Sequence, residues 1–338
     1  FNPAGNLGMC GHATIGLAVR TGASAEVEAS TIENNMIAGG WGFAVINEGD
    51  LILSASHVVN NNDGLGVYIL GPSNTEIYDS EVVNHNERGI YNQDATGVLI
   101  MERVLVSGND DGVTSNGDLT MTNVTISDND NGLVIGGTAD ISYVTIANNG
   151  TGYVGGGGGS HTFANTLVVG NTVTDCTQDM SFYATLSGLN IDTDGTCGIT
   201  THTDAEVALG PLADNGGFTD THALLTGSVA IDMASGSCPS SDQRGLGFAR
   251  PAGAGCDVGA FEAGATAPTP APIVVGSETP TLTPTLVSLE EITVILTGNA
   301  RCRKGPSAAY KDHDFFSEGD QSVITGRNFD ASWLVIAA

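Results

Sequence analysis

Basic side chains are scarce in this 338-residue chain. Ten Lys and Arg stand against 38 Asp and Glu, for a formal net charge of −28. Ten cations cannot neutralise a phosphate backbone in the presence of so many anions, which excludes nucleic acid and most anionic membrane surfaces as partners. No run of 18 apolar residues occurs, so no membrane-spanning helix is expected. Aromatic residues make up only 6% and charged residues only 14%. What fills the chain instead is Gly, at 47 residues, with Asn, Thr and Ser. That composition favours strands and turns over helix. Six Cys are present without any CxxC pair, which argues against a zinc ribbon or a thioredoxin-like site. Cys176 and Cys197 bracket one short polar segment, and Cys238 and Cys256 another. Pairing within each couple implies an oxidising, extracellular compartment; six free thiols is the alternative. The chain opens Phe1-Asn2-Pro3 and closes in the apolar run Trp333–Ala338, so both ends read as cuts, and the missing leader says nothing against export.

A repeat organises the first half. The segments STIENN (30–35), HVVNNN (57–62), EVVNHN (81–86), VLVSGN (104–109), VTISDN (124–129), VTIANN (144–149) and TLVVGN (166–171) each end in Asn. Three residues earlier stands Ile32, Val59, Val83, Val106, Ile126, Ile146 or Val168. β-Branched residues in alternation predict a short strand, and Asn, which tolerates left-handed backbone, ends it. Gly89, Gly112, Gly132 and Gly152 follow at a fixed offset, each trailed by an apolar residue. A unit of 20–27 residues cannot bury its own apolar face, so copies must stack, with neighbouring strands about 4.8 Å apart. This pattern, over about residues 12–175, resembles the right-handed parallel β-helix repeats of the pectin-lyase-like fold. That fold hosts lyases, hydrolases, adhesins and tailspikes, so the resemblance implies architecture and leaves activity open.

Near the start, GMCGHATIG (8–16) resembles the catalytic-cysteine motif of proline racemases and hydroxyproline epimerases, with GTCG (195–198) as the second cysteine. The repeat absorbs it. GLAVRTGASAEVEAS (16–30) aligns with GFAVINEGDLILSAS (42–56), so Gly16–Val19 belongs to one more coil that the CGH enters.

The repeat also aligns carboxylates. Asp63, Glu87, Asp110 and Asp130 each follow the terminal Asn of a coil. Like charges about 5 Å apart repel by roughly 1 kcal/mol even in water. Solvent can screen that repulsion, a calcium ion can bridge the oxygens, or one carboxyl can keep its proton as an acid catalyst would. Asp63, Glu87, Asp110 and Asp130 are therefore the candidate calcium ligands; no catalytic residue is expected, and if the protein is an enzyme Glu87, Asp110 and Asp130 are the candidate catalytic groups. No other cofactor is expected. Arg88 falls level with Asp111 of the next coil and offsets part of the charge.

NDDG (109–112) is similar to the paired Asp of polygalacturonases, and GSH (159–161) to their Gly-His element. The Arg-x-Lys element that grips a sugar acid is absent, and no Lys precedes Lys304. A uronate substrate would meet an acidic wall. The seven His (12, 57, 85, 161, 202, 222, 313) form no ligand pair and are expected in turns or at the surface.

From 176 onward the repeat stops. LGPLADNGGFTDTHALLTGSVAID (209–232), SDQRG (241–245), ARP (249–251) and CDVGAFE (256–262) resemble the choice-of-anchor Q domain of bacterial surface β-helix proteins, with Phe218 and Val229 where that family has Pro. Such a segment would cap the last coil's unpaired edges, with Asp242–Arg244 and Arg250–Asp257 as ion pairs. Asp214, His222 and Asp232 are read as turn residues. A Pro/Thr-rich stretch (264–290) predicts a stiff tether. After it, ARCRKGPSAAY, ITGRN and DASWLVI resemble a bacterial Src-homology-like small barrel that stops before its last strand.

The expected architecture is all-β: a right-handed parallel β-helix (1–175), a C-terminal cap (176–263), the tether (264–290) and a partial small barrel (291–338). The expected function is a non-catalytic scaffold or adhesin, extracellular or on the bacterial cell surface, contacting glycans or other surface proteins. A polysaccharide lyase or glycoside hydrolase working along the groove is the first alternative. A filament subunit joining end to end is the second.

Overall fold

The computed structural model describes residues 15–35, 42–61, 64–155 and 158–267, and five strands beyond residue 292. The chain divides into two compact units, residues 5–269 and a second one formed by 1–4 with 270–338. Cys10, His12, Asp63 and the tether from 268 lie outside the described residues.

In the larger unit each coil contributes three short parallel strands, one to each of three faces. The first face stacks eight strands, from Ile15–Val19 through Gly42–Asn47 to Thr174–Cys176. The second runs from Ser24–Glu28 to Ala184–Ser187, and the third from Thr31–Glu33 to Ile191–Asp192 and Thr200–Thr201. Every one of these pairings is parallel, so the structure is a parallel β-helix. Ile126 lies level with Ile146, as the repeat requires.

The lumen is filled by columns of like side chains. Leu53, Ile77, Met101, Met121, Ile141 and Phe163 form one, and Val45, Val67, Ile90, Val113, Leu133 and Tyr153 another. All of these are at most 2% exposed. Stacking is what buries them, since a single coil has nothing beneath it.

Two coils differ from the expected register. Val58 and Val82, not Val59 and Val83, stand level with Ile32 and Val106. The ladder residue three further on is therefore Asn35, Asn61, His85, Asn109, Asn129, Asn149 and Asn171. Asn86 is not a rung, and Asn62 lies outside the described residues. Likewise, Ser30 meets Ser56 as the alignment of 16–30 with 42–56 predicts, but on the first face Leu17 pairs with Val45, two residues out of that alignment.

The ladder is a continuous hydrogen-bonded chain. Asn129 Oδ1 accepts from the backbone N and the Nδ2 of Asn109, each at 2.9 Å. Asn129 Nδ2 donates to Asn149 Oδ1 at 2.9 Å and to the carbonyls of Val106 and Ser127. Each rung thus satisfies its own turn and the next. The glycine column exists to admit it: a Cβ on Gly132 would come within 2.9 Å of Asn149 Nδ2 and 2.7 Å of the Gly152 carbonyl. At the far end Asp175 replaces Asn and takes two bonds from Asn171.

Residues 204–263 do more than close the last coil. They run back along the outer side of the third face. Thr125 donates to Gln243 at 2.6 Å, Ser127 meets His222 Nε2 at 2.9 Å, and Ala260 N donates to Thr145 at 3.0 Å. Outward Ala147, Leu167, Val169 and Ile191 pack with Val207, Leu224, Val258 and Phe261. Phe218 reaches coil 2 and stacks on His57. The segment is a flank as well as a cap. Both local disulfides form, Cys176–Cys197 and Cys238–Cys256.

The second unit is built of antiparallel strands. Gln321–Arg327 lies between Thr293–Ile295 and Leu334–Ile336, and Ala300–Arg303 pairs with Asp312–Phe316.

Candidate functional site

The corner after the ladder carries three of the anticipated carboxylates. Asp110 N bonds the Glu87 carbonyl at 3.0 Å, and Asp130 N the Asn109 carbonyl at 3.2 Å. Glu87, Asp110 and Asp130 therefore follow one another up the stack, and Gly150 ends the run. Burial, then the charges of Asp130, Glu87 and Asp111, push the Asp110 carboxyl up from its ordinary range. Arg88 pairs with Asp111 at 3.0 Å, as its level predicts, and Asn131 also donates to Asp111. Among the described residues no group of three His, Cys, Asp or Glu converges closely enough to hold a metal ion. The Gly-His element does not join these carboxylates: His161 lies buried, bonded to Tyr153 OH at 2.7 Å and to the Gly137 carbonyl at 3.0 Å.

Three of the histidines expected in turns or at the surface are buried: His85, His161 and His222. His85 is a substitute rung. Its Nε2 meets the Val58 carbonyl at 3.1 Å, as Asn109 Nδ2 meets that of Val82. His222 bridges the Gly210 carbonyl and Ser127, pinning the flank to the third face. Burial lowers all three below the ordinary imidazole value. Asp214 caps the Gly216 N–H, and Asp232 accepts from Gly255 N; each serves its own turn, and neither bonds His222.

The flank carries a buried ionic network. Arg244 binds Asp242 at 2.7 Å and lies over the rings of Phe248 and Phe261. Arg250 pairs with Glu262 at 3.5 Å, not with the Asp257 side chain; to Asp257 it donates only at the carbonyl, at 2.9 Å. Asp257 is held instead by the backbone N–H groups of Asp232 and Ala263. A buried Arg needs several acceptors, and Glu262 with two carbonyls supplies them.

Among the described residues of the larger unit there is a groove. Its floor is the outer side of the second face, where Thr120, Thr122, Ser142 and Ser187 project, and its wall is the flank segment Ser235–Pro239. Its volume is about 620 Å³. The wall is tied down at the corner between the second and third faces. Asn165 exchanges two bonds with Ser235, at 3.0 Å each, Tyr143 OH donates to the Ser237 carbonyl, and Asn123 to that of Ser241. Cys238–Cys256 fixes it from the other side. Ile100, Ala164 and Pro239 add apolar lining. Among the described residues Glu102 is the one carboxylate lining the groove, and it is engaged by Arg103, which also grips Asp79 at 2.6 and 2.9 Å. Glu87, Asp110 and Asp130 do not line it. The groove escaped sequence reasoning because its two sides lie far apart in the chain.

No curated protein matches the chain. Among solved structures it is similar to the crystal structure of pectate lyase Pel9A, with 14% identity and a TM-score of 0.36 over 70% of this chain and 69% of that one. Residues 15–173 match the family model described as right handed beta helix region, which sets the hand of the coils: the chain carries a right-handed parallel β-helix.

Proposed function

We propose that the protein is a non-catalytic scaffold or adhesin, exported to the extracellular space or the bacterial surface, and that the groove on its second face binds a neutral, hydroxyl-rich chain such as an uncharged glycan. The observation that carries this reading is the groove's lining: side-chain hydroxyls on both sides, apolar patches between them, and a single carboxylate already engaged by Arg103. Hydroxyls and apolar patches match the two kinds of surface a sugar offers. Glycosidic cleavage by the usual route needs two carboxylates across the bond, and an anionic uronate would be repelled by a protein of net charge −28. The two disulfides support export. The resemblance of 209–262 to a choice-of-anchor Q domain, and of the final segment to a small Src-homology-like barrel, supports display at a surface.

Calorimetric titration with neutral and uronate polysaccharides, alongside a reducing-end assay, tests the proposal. Neutral chains should bind without turnover, and Thr122→Trp, which fills the groove floor, should abolish binding. Release of reducing ends, or preference for uronates, would overturn it.

A further inference from the structure

The three faces are finished differently at the C-terminal end of the β-helix. A β-helix must protect the last strand of each face, because a bare edge pairs with other chains. At the C-terminal end two of the three faces are covered. On the first, the N–H groups of Asp175 and Cys176 bond the side chains of Asp194 and Thr196, each at 2.9 Å, and Cys176–Cys197 locks that loop. On the third, Ile191–Asp192 pairs onward with Thr200–Thr201, and a strand of two residues is too short an edge to template another chain. On the second, Ala184–Ser187 pairs with His161–Ala164 on one side, and among the described residues nothing pairs on the other.

Apolar side chains surround this open edge. Phe182 is 79% exposed, Tyr183 53% and Leu186 36%. Leu186 stands at the end of the Phe163 column, an inward position left half-covered. The run from Met180 to Ile191 contains no charged residue. Among the described residues the first strand of the same face, Ser24–Glu28, exposes Glu26 and Glu28. Charged side chains on an edge prevent pairing, and Ala184–Ser187 carries none.

We infer that Ala184–Ser187 is a docking edge, and that its occupant is the same strand of a second copy, paired antiparallel about a two-fold axis perpendicular to the sheet. The charge distribution selects that occupant. Two molecules of net charge −28 repel over most of their surfaces, and a long uncharged edge is where they can approach. In the register of this face, Ser24–Glu28 of another copy would set Glu26 and Glu28 on Thr185 and Ser187, whereas the edge itself sets Thr185 and Ser187 on each other, which pair without burying charge. Self-complementary contact about a two-fold also closes on itself, using up the Ala184–Ser187 edge of both copies. Because the axis is perpendicular to the sheet, the outer surfaces of the two second faces become continuous. Ser187 and Gly188, which line one end of the groove, then lie at the junction.

Sedimentation velocity of the full chain over a concentration series tests this. A monomer–dimer equilibrium is expected, lost on Thr185→Lys and on Phe182→Ser and kept on Ser24→Lys. Thr185 and Phe182 are exposed, so thermal melts of those variants should match the wild type. A wild type that stays monomeric at every concentration overturns the inference. So does a dimer that survives in folded Thr185→Lys and Phe182→Ser, or an open series of larger species, which would mean head-to-tail stacking.

Discussion

Each coil turns left-handed twice, at two corners that solve one backbone problem with different side chains. Before each ladder rung stand Asn34, Asn60, Asn84, Gly108, Asp128, Asn148 and Gly170, all at positive φ between 54° and 69°. Between the second and third faces the corresponding column is Ala29, Ala55, Asp79, Arg103, Asn123, Tyr143, Asn165 and Gly188, with φ between 45° and 64°. The first column uses residues that accept this conformation cheaply. The second includes Ala, Arg and Tyr, for which it costs on the order of 1–3 kcal/mol each. That strain is held by the stack around it. What the second corner gains is reach: Asn123, Tyr143 and Asn165 all bond the carbonyls of the flank segment. One corner is built for the coil's own continuity, the other for attachment.

If so, damage at the two corners should differ in kind. The largest effect is expected for Asn129→Ala. It strips the acceptor from the buried N–H of Asn109 and the donor to Val106 and Ser127. Loss of about 3 kcal/mol should follow, seen as a large drop in the denaturation midpoint of the whole unit. Asn165→Ala at the other corner should cost less, about 1–2 kcal/mol. Its effect should be local, with faster hydrogen exchange confined to 235–241 while the ladder stays protected. Global loosening by Asn165→Ala would erase the distinction.

The same contrast explains what was legible beforehand. The ladder corner is written in Asn and Gly, residues whose local preference matches their place, so seven coils could be found by eye. The register slipped where that writing was redundant. Coil 2 has Asn60, Asn61 and Asn62 in a row, coil 3 has Asn84 and Asn86 around His85, and each offers a Val pair that fits alternation either way. His85 could not be identified as a rung, because only its Nε2, placed by the fold, imitates an amide. The attachment corner was invisible, since Ala55, Arg103 and Tyr143 carry no turn preference. The groove was hidden for the same reason: its wall is held by single side-chain bonds to backbone carbonyls more than 60 residues away. Arg250 misled because Asp257 is nearer in sequence, while Glu262 is the carboxylate that the fold delivers.

His85 supplies a pH-dependent way to sharpen the comparison. Burial lowers it from 6.5, against the opposing pull of the Val58 and Asn61 carbonyls. A folded-state value below the unfolded one means that the neutral imidazole's contribution is complete above pH 6.5 and is lost as pH falls through the lowered value. His85→Asn restores a rung that cannot titrate. Below pH 6.5 the variant should exceed the wild type by about 1 kcal/mol, with a flatter melting temperature against pH; His161 and His222, lowered by burial as well, keep part of the slope. A parallel slope in the two proteins would remove His85 from the ladder's account.

The smallest expected effects come from exchanging the corners' habits. Ala55 holds φ at 45°, where a Cβ is unwelcome, so Ala55→Gly relieves strain of about 1 kcal/mol. Glycine's added freedom in the unfolded chain returns about half of it, leaving a net stabilisation of about 0.5 kcal/mol. Asn148, at 58°, sits where its side chain suits the backbone, and Asn148→Ala should destabilise by about 1 kcal/mol. Paired urea titrations of the two variants resolve opposite signs even when each shift is small. The signs must be opposite if one corner is locally satisfied and the other is held in place by its surroundings. Shifts in the same direction would mean that the stack strains both alike, and that the Asn-rich column is there for its hydrogen bonds alone.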